Sequence, residues 1–432
     1  MRRAASTLAV LSFGVAAAAQ APDLEAQARS LEAKVQAWRR DFHEHPELGN
    51  REFRTAGIVA EHLKALGLEV KTGVAHTGVV ALLKGGKPGP RIALRADMDA
   101  LPVKEQVDLP FASKATGEYR GEKIGVMHAC GHDSHTAILM GVAELLTARK
   151  ASLAGEVLFV FQPAEEGAPE GEQGGAELML KEGIFASPAP KAVLGLHVTS
   201  TLPAGELGYR SGPLMAAVDD FRVVVKGRQT HGARPWGGID PIVAAAGLVT
   251  SAQSIVSRRM NLPEYPAVVT FGAFRGGLRS NIIPDEVELL GTLRTFDAAQ
   301  RSHLLAELAR VVEHGAAVHG ATATLQAPFT HSYPVTSNDP ALTAKVVPTL
   351  RRVAGAAAVK EIPLTTGAED FAFFARAVPG FYFFVGATPA GQDPATAASN
   401  HSPRFYLDES ALKLGLRALS QAALDVLASS KP

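Results

Sequence analysis

Five short runs of this chain are apolar at nearly every position: Val79-Val80-Ala81-Leu82-Leu83, Ile92-Ala93-Leu94, Val157 to Phe161, Ala192 to Leu196 and Phe381 to Val385. Side chains alternate between the two sides of a strand, so such a run has no face left for solvent. Sheets covered on both faces are characteristically parallel, with helices as the covering layers. Helical periodicity at Leu24 to Phe42, Arg54 to Leu66 and Thr136 to Ala148 supplies those layers. The spacing predicts an α/β fold: a mixed, mostly parallel sheet flanked by helices.

Three of the runs end directly in polar groups: Arg95-Ala96-Asp97-Met98-Asp99, Gln162-Pro163-Ala164-Glu165-Glu166, and His197. Open α/β sheets place their sites just beyond the carboxyl ends of their strands. These groups are therefore expected to converge through topology as well as residue type. Between about Asp219 and Ala327 the rhythm changes to strand, helix, strand, strand, helix, strand, running from Phe221 to Gln326. That order is ferredoxin-like. It divides the chain into a catalytic domain of residues 20–218 and 328–432, interrupted by an inserted α+β lid or dimerisation domain at 219–327. Two domains also suit a chain of 432 residues.

The first residues read as an export signal, with basic Met1-Arg2-Arg3, an Ala-rich apolar stretch, and cleavage expected after Ala19. A periplasmic or secreted location follows as an expectation. With 43 basic against 43 acidic residues, the chain has no electrostatic footprint for nucleic acid. Beyond the signal no apolar run of about 18 residues is present, so no membrane insertion is expected after cleavage.

The only cysteine lies in Met127-His128-Ala129-Cys130-Gly131-His132-Asp133. One cysteine in an exported chain forms no internal disulfide, and coordination to a metal would give the thiol a purpose. Cys130, His132, Glu165, Glu166, His197 and His401 make up the donor inventory of a two-metal hydrolase. Gly131 lets the backbone bend so that Cys130 and His132 face one point, and Asp133 or Ser134 is expected to cap the following helix. Glu165 and Glu166 cannot share a strand face, so an irregular turn is expected to give them separate jobs, one as ligand and one as general base. His231, in the inserted domain, could donate to an oxyanion. His128 and His135 read as supports for the ligands, and Asp97 and Asp99 as supports or ligands themselves. His62, His303, His314 and His319 read as solvated. A rival chemistry uses Cys130 as nucleophile with His132 or His135 as its base.

At these residues the chain resembles the metal-dependent aminoacylase/carboxypeptidase amidohydrolases, in the branch of hippurate hydrolases and auxin–amino acid conjugate hydrolases. The ordered landmarks are His43-Glu44-His45-Pro46-Glu47-Leu48, Arg95 to Pro102, Met127 to Asp133, Phe161 to Gly167, the His231 loop, Asn281-Ile282-Ile283-Pro284, Gly367-Ala368-Glu369-Asp370-Phe371 and His401-Ser402-Pro403. The resemblance implies two divalent ions, manganese or zinc with cobalt or nickel as further options, bridged by Cys130 and held by His132, Glu166, His197 and His401. It implies Glu165 as the general base of a metal-activated water, His231 as donor to the carbonyl oxygen, Asn281 as a substrate contact, and Asp99 as the carboxylate orienting a metal ligand. The implied reaction splits an N-acyl or N-aroyl amino acid into a carboxylic acid and a free amino acid. A metallo-exopeptidase acting on short peptides is the alternative, and a homodimer through the lid is a further implication. Trp236 and Leu278-Arg279-Ser280 depart from the family pattern, which bears on substrate preference.

Overall fold

The computed structural model describes residues 23–330 and 332–429, so the expected signal peptide lies outside the described residues. In chain order, the helices α1 (Leu24–Glu44) and α2 (Phe53–Ala65) precede three strands, β1 (Glu69–Val74), β2 (Gly78–Lys84) and β3 (Lys87–Asp97). Then come α3 (His132–Ala148), β4 (Ala154–Gln162), α4 (Gly175–Lys181), β5 (Val193–Pro203) and β6 (Leu207–Tyr209). A second unit contains β7 (Ala217–Lys226), α5 (Pro241–Arg259), β8 (Val268–Gly276), β9 (Glu286–Thr295), α6 (Ala298–Val318) and β10 (Thr322–Gln326). The chain closes with α7 (Pro340–Ala354), β11 (Val359–Glu361), α8 (Phe371–Ala377), β12 (Gly380–Thr388) and α9 (Ser410–Ser429).

The main sheet has eight strands in the order β1-β2-β4-β3-β5-β12-β6-β11. Its centre, β4-β3-β5-β12, is parallel, and β1, β2 and β6 join antiparallel. The five apolar runs are its inner strands. Alternate residues go to opposite faces: Leu94, Phe159, Leu196 and Phe383 pack with α1, α2, α3, α7 and α9, while Val160, Val193, Tyr382 and Phe384 pack with α4 and α8. Burial of about 25 cal/mol per Å² of apolar surface on both faces is what holds such a sheet. The central strands end together, Asp97 opposite Gln162 in register, and the site lies at that edge.

The second unit is an antiparallel sheet in the order β8-β9-β7-β10, with the short strand Ser332–Tyr333 also paired to β7. Its order matches the ferredoxin-like expectation. Ala244, Leu248 and Ile255 of α5 and Leu304, Leu308 and Val312 of α6 cover one face and form a separate core. The sheet reaches beyond the expected limits of 219 and 327, because Ala217 still pairs with Thr295 and Tyr333 with Val218. Among the described residues no helix is long and apolar enough to cross a membrane.

Two local expectations are corrected. Helix α3 begins at His132, and its N-cap is Gly131 at φ 98°, so neither Asp133 nor Ser134 caps it. A Cβ at Gly131 would collide with Val198 Cγ2. Only glycine accepts both that left-handed φ and that approach. His197 lies inside β5, because the strand continues past the apolar run to Pro203.

Candidate metal centre

Four separate segments bring Cys130, His132, Glu165, Glu166, His197 and His401 together. Cys130 is placed by the turn into α3, His132 by the first residue of that helix, and His197 by β5. The two glutamates follow β4, and His401 sits in the loop before α9 at φ 72°. Cys130 Sγ lies 3.3 Å from His197 Nε2 and 3.2 Å from His401 Nε2. His401 Nε2 is also 3.1 Å from Glu166 Oε1. His132 Nε2 stands 3.8 Å from Glu165 Oε2 and 3.9 Å from Glu166 Oε1. Two donor groups result, Cys130–His132–His197 and Cys130–Glu166–His401, and they share the sulfur.

Neighbouring groups fix the direction of each donor. His132 Nδ1 donates to the Asp99 carbonyl at 2.8 Å and His197 Nδ1 to the Val198 carbonyl at 2.6 Å, which turns each Nε2 toward the other donors. The Asp99 carboxylate accepts the backbone N–H groups of Glu165 and Glu166, each at 3.0 Å. It thus holds the ligand-bearing turn and His132 at once. The Asn400 amide donates to the carbonyls of Cys130 at 3.0 Å and Val198 at 3.1 Å, and His401 N donates to Ala129 O at 2.8 Å. His135 supports from behind, bonded to Asp97 Oδ1 at 2.6 Å and accepting Val198 N at 2.9 Å.

These residues fit a pair of divalent cations. His132 Nε2 is a buried atom without a hydrogen-bond partner among the described residues, a costly state for a polar group unless a ligand completes it. Negative charge is also in excess. Burial and the carboxylates of Glu166, Glu165 and Asp97 push the Cys130 thiol well up. Against the opposition of burial, Asp97, Asp99 and Glu166 lift His132 to about 10. Cations would balance this charge, and a thiolate, two imidazoles or a carboxylate–imidazole pair suit zinc-like ions. A nucleophilic Cys130 would leave His197, His401 and Glu166, gathered around its sulfur, without a role, so the thiol amidase reading loses support. Of three further donor groups, His132–Glu165–Glu166 adjoins this pair and the other two are already satisfied. Asp97–His132–His135 is tied up through His135, and Glu165–Glu369–Asp370 faces the Arg95 guanidinium.

Behind the glutamates lies a buried polar network of which sequence reasoning singled out only Asp97. Arg95 donates to Gln162, Asp97, Tyr382, Glu369 and Asp370. Asp370 N in turn approaches Glu165 Oε1 at 3.4 Å. Burial, with Glu369, Glu166 and Asp370 nearby, pushes Glu165 well above the ordinary carboxylate range. The hydroxyl of Tyr333 donates to the Glu165 carbonyl at 2.9 Å.

The remaining expected site residues lie elsewhere. His231 and Asn281 meet at a small two-stranded antiparallel sheet, Thr230–His231 against Ile282–Ile283, with Gly232 N donating to Asn281 O at 2.8 Å. Both are exposed, and among the described residues no hydrogen bond or ion pair joins them to Cys130 or its neighbours. His62 is not solvated: it is half-buried, packs edge-on against Trp38 and bonds the Met140 carbonyl. His43 is buried between Asp133 at 2.8 Å and Glu105 at 3.1 Å, on the far side of α3's first turn.

Fold and site together define a metal-dependent hydrolase. Residues 93–425 match the model of Peptidase family M20/M25/M40, and the chain belongs to that family. It is 39% identical over 409 residues to thermostable carboxypeptidase 1 of Saccharolobus solfataricus, covering 94% of this chain and 98% of the relative. It is 37% identical over 402 residues to the N-acetyl-L-cysteine deacetylase of Bacillus subtilis, covering 93% and 90%. Among solved structures it is similar to the Bacillus subtilis YXEP protein, described as a dinuclear metal binding peptidase, with TM-score 0.75, 35% identity and coverage of 93% and 99%.

Proposed function

We propose that the protein cleaves the amide bond of N-acyl or N-aroyl amino acids, releasing a carboxylic acid and an amino acid. The observation that carries this reading is the pair of donor groups sharing Cys130, with the buried carboxylate of Glu165 beside them. Two divalent ions held by Cys130, His132, Glu166, His197 and His401 would supply Lewis acidity at the carbonyl oxygen and lower the pKa of a water. Glu165 takes that water's proton at Oε2 as the oxygen bonds to the carbonyl carbon. It then gives the proton to the amine nitrogen as the C–N bond breaks. Asp99 keeps Glu165 and Glu166 in one orientation through their amides. His231 acts only after the inserted unit closes, donating to the oxyanion, and Asn281 travels with it.

Similarity to a deacetylase supports the N-acyl substrate class, and similarity to a carboxypeptidase supports a second reading as an exopeptidase with the same centre. The test is amino acid release from N-acetyl, N-benzoyl and longer N-acyl amino acids beside dipeptides, before chelation, after it, and after manganese or zinc is returned. Glu165→Gln should cost about 100- to 10,000-fold in kcat. Turnover near wild type in that variant, or activity indifferent to chelators, refutes the mechanism; cleavage of dipeptides alone selects the exopeptidase. Export is part of the same proposal, resting on Met1-Arg2-Arg3 and the Ala-rich stretch to Ala19. Protein recovered outside the cytoplasm should begin at Gln20, and an intact Met1 would refute it.

A further inference from the structure

The segment from Glu47 to Glu52 has no part in the chemistry above, yet it encloses the turn that carries both glutamates. Glu47 pins it at two points. Its carboxylate accepts the N–H groups of Arg54 at 2.9 Å and Thr55 at 2.8 Å, and its carbonyl accepts Ala100 N at 2.8 Å. Gly49 lies so close to the turn that a Cβ there would stand 2.9 Å from the Gly167 carbonyl and 3.1 Å from Ala164 Cβ. Asn50, buried at φ 59°, donates to the Gln173 carbonyl at 3.0 Å.

Glu52 is the least expected member. It is fully buried, and although it occupies the N-cap position of α2 its side chain makes no capping bond. The carboxyl group turns inward instead, accepting Ala164 N at 2.9 Å and the Thr77 hydroxyl. Ala164 is a non-glycine residue at φ 51°. Such a conformation costs about 1–3 kcal/mol and persists only where the surroundings enforce it. Asp99 takes the next two amides, those of Glu165 and Glu166. Three successive N–H groups are thus held by two buried carboxyl groups from different parts of the chain. A buried carboxyl is expensive to keep, and helix capping does not explain this one.

We propose that Glu52 is a positioning residue for Glu165: by holding the Ala164 amide it fixes the left-handed turn from which the general base projects. The proposal rests on the reading of Glu165 as base. Glu52→Ala frees the amide and lets the turn relax, so kcat falls by about 10- to 100-fold, the loss that displacements near 1 Å produce. KM and metal content stay at their wild-type values. Glu52→Gln keeps an oxygen for Ala164 N and an NH₂ for Thr77, so it retains kcat within about threefold. A merely structural role would not produce this split between kcat and KM, nor the rescue by glutamine.

The test is steady-state kinetics of Glu52→Ala, Glu52→Gln, Gly49→Ala and Glu165→Gln on an N-acyl amino acid, with bound metal measured on each. Gly49→Ala presses on the same turn through Gly167 and should also lower kcat at constant KM, so the inference stays testable if Glu52→Ala does not fold. Wild-type kcat in both Glu52→Ala and Gly49→Ala, beside an inactive Glu165→Gln, overturns the positioning role alone. Glutamine losing as much as alanine, or a loss that tracks metal content, also overturns it. Wild-type turnover in Glu165→Gln is a different result, which removes the base and leaves nothing for Glu52 to position.

Discussion

Replacing Arg95 by methionine should damage the protein more than any other single change to a residue outside the donor groups. The guanidinium is fully buried and reaches Gln162 at 2.8 Å, Asp97 at 2.7 Å, Glu369 at 2.8 Å, Asp370 at 3.0 Å and the Tyr382 hydroxyl at 3.3 Å. Methionine fills much of the volume but leaves three carboxyl groups facing an apolar side chain. Removing one partner of a buried ion pair costs about 3–5 kcal/mol, a drop of roughly 100- to 4,000-fold in the folding equilibrium at about 1.4 kcal/mol per tenfold. Urea unfolding of wild type and Arg95→Met at fixed manganese concentration measures it; the fixed metal matters because a bound ligand adds its own stabilisation. A companion variant adds Glu369→Gln and Asp370→Asn to Arg95→Met. Neutral groups need no counter-ion, so it should recover part of the loss. A single-variant loss under about 1 kcal/mol would refute the reasoning. Equal loss in both variants would also refute it, by assigning the cost to packing and not to charge.

Gly131→Ala combines a left-handed φ of 98° with a collision at Val198 Cγ2. It should cost roughly 1–3 kcal/mol from the backbone and a similar amount from crowding, with metal content falling because Cys130 and His132 flank the turn; a wild-type Tm would contradict this. The pH dependence of stability should carry a signature of Glu52, whose burial and proximity to Asp99 push it from 4.5 up to about 8. The native state then holds a proton that the unfolded chain has released, so this contribution is complete below about pH 4.5 and is lost as pH rises through about 8. Glu52→Gln should flatten the fall in stability across that window by up to ~1.4 kcal/mol per pH unit, and identical slopes in urea titrations at several pH values would refute the assignment.

The inner strands were legible because burial on both faces forces a continuous apolar signal, and all five runs are main-sheet strands. Edge strands leave no such mark. β1, Glu-Val-Lys-Thr-Gly-Val, is largely exposed, and β11 at the other edge has only three residues, as does its inner neighbour β6. The donor residues could be read because thiol, imidazole and carboxylate at strand ends form a recognisable inventory. Of their supports, His135, Asp97 and Asp99 could be read because they adjoin the donors in sequence, and the others could not. Arg95 reads as a polar strand end, Glu369 and Asp370 enter only within an ordered landmark, and Glu52 carries no local signal at all. Each is buried by partners far away in sequence, which no local pattern encodes. Asn400 is a small polar loop residue with no local signal, although its amide ties the His401 loop to Cys130 and to β5.

The chain enters and leaves the second unit at one place. Gly212–Met215 pairs with Thr336–Asn338, and Val218 and Asp219 pair with Tyr333 and Ser332. Ends this close can be joined by a short link, so the intervening segment behaves as a cassette. It can be exchanged for another of different size without altering the order of the eight main strands. Evolution can therefore vary the inserted unit while the donor groups remain untouched, and an engineer can graft a foreign unit at the same two crossings.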